Sequence, residues 1–112
     1  MKRYLLIESE SAFEAAGAPQ VFALACELKR QGDAVEILLV QNGVMPARAG
    51  AKADGQGAAL QAGIPVMADE FSMKERALPA EALARGVRPA PISTVVSRMA
   101  SGWNVIWHWG DG

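Results

Sequence analysis

Eight positions carry side chains that could do chemistry if the fold brought them together: Glu8, Glu10, Asn42, Asp69, Glu70, Ser72, Arg76 and His108. Most of them directly follow a short apolar run, which is where a strand would end. Acids, an amide and an imidazole sharing one cleft could coordinate a metal or perform general acid–base work. One His with dispersed carboxylates is poor metal-ligand spacing, though, and strand ends are also where polar residues ordinarily reach water. The expectation is therefore a polar cleft with no metal and no cofactor.

The stretch Val66 to Leu78 holds the densest part of this set. Asp69 is placed to cap a helix that begins at Glu70, and Ser72 with Glu75 forms the alternative, a Ser-x-x-Glu capping box. Arg76 lies within reach of Asp69, Glu70 or Glu75 as an ion-pair partner. Cys26 is the one cysteine, so an internal disulfide and a Cys-based metal cluster are excluded, and a reducing compartment suits it. It is the only candidate thiol. Its mid-helix position beside Phe22 and Ala23 predicts an inert, packed or interface Cys rather than a reactive one. His108 sits between Trp107 and Trp109, whose side chains would share one face of an extended segment. Large aromatics there point to a subunit interface, with catalysis by His108 as the alternative.

The elements that must position these residues follow from periodicity. Tyr4–Ile7, Val35–Val40, Ile64–Ala68 and Val105–Trp107 are continuous apolar runs, the mark of parallel strands buried on both faces. A helix is predicted from Pro19 to its close at Gly32, with Val21, Leu24, Ala25 and Leu28 on one face and Lys29 and Arg30 in the last turn. Asp54–Ala62, closed by Gly63, and Ile92–Ala100, closed by Gly102, are the other two. Val87 to Pro91 reads as extended, and Met45–Lys52 as irregular. This alternation predicts a three-layer α/β/α sandwich with a mostly parallel sheet of four to five strands, spanning residues 1–112 as one domain.

Composition excludes several classes. At 112 residues the chain can bury roughly two-thirds of its unfolded surface, enough for a core without staples. Net charge is −1 with dispersed Lys and Arg, so no nucleic-acid partner is expected. The apolar runs are too short for a bilayer, and Glu8 interrupts the first one before it could serve as a signal peptide, so a cytoplasmic protein is expected. Gly55-Gln56-Gly57 lacks the third glycine of a dinucleotide fingerprint, and phosphate-loop and Gly-x-Ser-x-Gly motifs are missing.

Taken in order, the first strand, the helix ending at Gly32, Val40-Gln41-Asn42-Gly43-Val44, Gly63-Ile64-Pro65-Val66 and Trp103-Asn104-Val105-Ile106-Trp107 resemble the DsrE family of small sulfur-relay proteins. In that family a Cys stands three residues before a Ser, and an Arg-Gly follows four residues after it. Here Ser72 and Arg76 keep that spacing, Ala77 replaces the Gly, and Asp69 stands at the Cys position. The resemblance implies a DsrE-like sandwich that assembles as a trimer or hexamer, with itself or with other DsrE-like subunits. It also implies an intracellular sulfur-trafficking setting, in which some members pass sulfur from Cys to Cys and companion subunits lack the active Cys. A carboxylate cannot carry a persulfide sulfur, so the reading favours a non-catalytic binding or scaffolding subunit. The alternatives are a repurposed small-ligand or enzyme site among the acids and His108, and sulfur carriage through Cys26.

Overall fold

The computed structural model describes residues 1–10, 20–51 and 55–108, with only the backbone of His108 included. Strands and helices alternate in chain order: β1 (Arg3–Glu8), α1 (Gln20–Arg30), β2 (Ala34–Leu39), α2 (Gln56–Gln61), β3 (Val66–Asp69), α3 (Glu70–Glu75), β4 (Val87–Ala90), α4 (Ser93–Ala100) and β5 (Asn104–His108). A 3-10 segment, Gln41–Ala47, follows β2, and a short 3-10 turn, Ala80–Ala82, precedes β4. The five strands form one fully parallel sheet in the order β4-β3-β2-β1-β5. The expected architecture, a parallel sheet with helices on both faces, is the observed one.

Several boundaries move for identifiable reasons. Ile64 does not enter the sheet, because its N–H closes α2 by bonding to the Ala59 carbonyl, so β3 starts at Val66. Val87–Ala90, read as merely extended, is an edge strand pairing only with β3, a position that tolerates the missing N–H of Pro89. Gly32, Gly63 and Gly102 take the left-handed conformation at the helix ends where they were expected. Pro19 and Asp54, the expected starts of the first two helices, lie outside the described residues. No described helix is long and apolar enough to cross a membrane.

Alternating strand side chains divide the core in two. On one face Leu6, Ile37, Leu39, Val66 and Ala68 meet α1 and α2. The buried stripe of α1 is Val21, Phe22 and Ala25, while Leu24, expected to face inward, is 43% exposed. The bulk of Phe22, against which Gly55 at the start of α2 packs, pulls the helix face towards itself. Cys26 is half-buried against this core. The other face is thinner: Leu5, Ile7, Leu38 and Met67 are covered by Val95 and Trp103, and α4 has no fully buried residue.

Polar contacts hold α4 in place where apolar burial is small. Arg98 donates to Glu36 of β2 through Nε (2.6 Å) and Nη2 (3.2 Å). Its guanidinium also lies 5.4 Å from the Trp103 ring centroid, and that of Arg3 lies 5.8 Å from it. Hydrogen bonding to Glu36 raises the Arg98 pKa above its ordinary value, against a smaller opposing effect of desolvation. Stability from a raised pKa is fully present below the unfolded value, so this clasp is intact across the neutral range and is lost only in strong alkali. Glu36→Gln weakens a bidentate, partly buried pair and is expected to cost about 1–3 kcal/mol in urea unfolding followed by tryptophan emission. An unchanged midpoint would show that α4 is held by packing alone.

Candidate functional site

The polar positions gather at the carboxyl edge of the sheet, where open α/β folds place their ligand sites. Strand order reverses between β1 and β5, and Glu8 and His108 stand opposite each other in register at that point. Glu8 is buried, and its Oε2 accepts a hydrogen bond from the Glu10 N–H at 3.0 Å. Its carbonyl accepts from Val40 N–H at 2.9 Å, which ties the end of β1 to the turn after β2. A Cβ on Gly43 would lie 2.3 Å from that same carbonyl oxygen, so only glycine permits the approach.

Asp69 ends β3 and caps α3. Its backbone is extended (φ −63°, ψ 123°), and its Oδ2 accepts from Ser72 N–H at 3.0 Å and Ser72 Oγ–H at 2.7 Å. The capping-box alternative is therefore excluded: Ser72 sits inside the first turn, buried. Its Oγ in turn accepts from the Gln41 N–H at 2.7 Å, and Gln41 holds a left-handed φ of 52° to present that donor. Asp69 is 4% exposed, and its Oδ1 is buried without a partner among the described residues, which offsets part of what the cap contributes.

Arg76 follows α3 and is half-buried. It donates through Nε (3.2 Å) and Nη2 (3.0 Å) to Asn42 Oδ1, and through Nη1 (3.2 Å) to the Ser72 carbonyl. Its ion-pair partner is Glu75 at 3.6 Å, and among the described residues it forms none with Asp69 or Glu70. Asn42, Asp69, Ser72 and Arg76 are thus one network, joined through the turn at Gln41. Glu8 and Glu10 are a separate pair, and among the described residues no three potential ligands are close enough to hold a metal. Trp109 lies outside the described residues, and nothing is described of the His108 side chain.

Glu70 is exposed and belongs to neither group. It lines a cavity of about 580 Å³ with Met73, Lys74, Leu78, Pro79 and Pro89, between α3, the turn after it and the end of β4. Sequence reading did not find this cavity, because its walls are ordinary apolar residues from three separate segments. The available signal was Glu70, Lys74 and Ala77, spaced to share one side of a helical turn.

In the Asp69 network one carboxylate oxygen accepts two hydrogen bonds, and the Ser72 hydroxyl is both donor and acceptor. The arrangement positions three chain segments.

No protein-family model matches the chain, and no curated protein matches it in sequence. The solved structures it resembles have the DsrE/TusD-like fold. One is MTH1491 from Methanobacterium thermoautotrophicum, described as a protein of unknown function, with a TM-score of 0.83 and 17% identity over 96% of this chain and 100% of that one. Another is the YchN protein of E. coli, with a TM-score of 0.84 and 15% identity over 96% of this chain and 100% of that one. The chain therefore has the DsrE-like fold.

Asp69→Ala removes the cap of α3 and is expected to lower stability by about 1–2 kcal/mol in chemical denaturation, with Asp69→Asn, which keeps an acceptor, costing less. Equal stability of all three proteins would contradict the cap. Gly43→Ala forces the turn off the Glu8 carbonyl and is expected to cost about 2 kcal/mol or more. A measured loss below about 0.5 kcal/mol would mean the turn can move away freely.

Proposed function

We propose that this chain is a non-catalytic binding or scaffolding subunit of a DsrE-like assembly that serves sulfur trafficking in the cytoplasm. One observation carries the reading. At the position where the resemblance calls for a sulfur-bearing Cys, the chain has Asp69, buried and consumed as a helix cap. A carboxylate in that place supplies neither the nucleophile nor the exposure that sulfur transfer needs. Cys26 supports the same reading, since it is half-buried mid-helix against the apolar core rather than at a helix N-terminus.

Assembly with further subunits is part of the proposal. Ile92, Val96 and Met99 stand 50%, 67% and 60% exposed, and Phe71 of α3 is 65% exposed, more apolar surface than α4 needs for its own packing. A trimer or hexamer of this chain, or a mixed assembly with other DsrE-like subunits, would cover it.

Native mass spectrometry before and after incubation with a persulfide donor tests both halves of the reading. The expected result is an oligomer whose subunit mass is unchanged. An added sulfur that disappears in Cys26→Ser would instead make the chain a carrier through Cys26. A purely monomeric species, alone and with candidate DsrE-like partners, would remove the assembly half.

A further inference from the structure

The cavity beside α3 lies apart from the Asp69 network, and it has the attributes of a small-molecule site. It is a wide, largely open groove of about 580 Å³ at the carboxyl edge of β3 and β4. Met73, Leu78, Pro79 and Pro89 supply an apolar wall. Ala77, which also lines it, bends the chain out of α3 with a left-handed φ of 51°, an unfavourable conformation for a residue with a Cβ. Pro89 lacks an N–H on the edge strand, which disfavours recognition of a peptide by strand addition there.

The polar groups of the cavity fix the class of ligand. Glu70 and Lys74 stand one helical turn apart, the spacing at which opposite charges normally pair, yet neither side chain forms an ion pair or hydrogen bond among the described residues. Both line the same cavity, so one acceptor-only charge and one donor-only charge border a single apolar wall.

We infer that this cavity binds a small zwitterion with an apolar side chain, of the amino-acid type, its ammonium on Glu70, its carboxylate on Lys74 and its side chain against Met73, Leu78 and the two prolines. A molecule carrying an ammonium and a carboxylate on one carbon offers a partner to both side chains at once. One bearing a single charge leaves the other side chain as it is.

Calorimetric titration of the intact protein with L-leucine, leucinamide and 4-methylpentanoate tests this. Saturable binding of L-leucine is expected, with leucinamide (no carboxylate) and 4-methylpentanoate (no ammonium) each about tenfold weaker. Glu70→Gln is expected to erase the preference over 4-methylpentanoate, and Lys74→Gln the preference over leucinamide. Both residues are exposed, so the fold should survive, which circular dichroism checks; the three-ligand comparison on the unaltered protein stands without the variants. No saturable binding of L-leucine, equal binding of the three ligands, or leucine binding indifferent to both substitutions would each overturn the inference.

Discussion

The carboxyl edge of this sheet depends on a hydrogen-bond relay that runs from Asp69 through Ser72 to the backbone of Gln41. Each strand of a parallel sheet ends with its next segment turning away, and nothing in the ladder itself holds those turns to one another. Here a single carboxylate starts α3, and the serine it grips accepts the N–H of a strained residue just past β2. Arg76 reaches back over the same turn to Asn42, and Gly43 lets the turn settle on the carbonyl of Glu8. Three strand ends are thereby fixed to one another. A buried polar network of this kind is costly when half-satisfied, and Asp69 Oδ1 is its atom without a partner among the described residues.

The sheet's two faces are unequal. Among the described residues, seventeen buried ones form the core on the side of α1 and α2, and six form the core under α4. Where apolar burial is small, the Glu36–Arg98 pair and the stacking of two guanidiniums around Trp103 take over the task of docking a helix. That economy leaves an apolar stripe on the outer side of α4, the surface that the proposed assembly would cover.

Much of the fold was legible in the sequence, because continuous apolar runs and glycine-closed amphipathic helices are local signals. Gly32, Gly63 and Gly102 marked their helix ends correctly. Val87–Ala90 was legible only as extended, since a proline and an arginine within four residues break the apolar run, and its place at the sheet edge makes it a strand. For α1 the inward stripe was misjudged at Leu24, as the weight of Phe22 decides the helix's rotation only in the presence of its partners. Among candidate site residues, the link between Asp69 and Ser72 was readable because they are three apart. The role of Gln41 and the closeness of Gly43 to Glu8 were not, since both are backbone contacts across 31 or more residues. The groove beside α3 was not legible because its walls are ordinary apolar residues from separate segments.

The central claim is that Asp69 is a structural group whose Oδ2 holds Ser72 at the start of α3. A double-mutant cycle of Asp69→Ala and Ser72→Ala, read by equilibrium unfolding, tests it most directly. The account predicts a coupling energy of about 1 kcal/mol or more between the two sites. Substitutions whose effects simply add, within about 0.3 kcal/mol, would show that the two side chains do not hold each other and that Asp69 is available for another role.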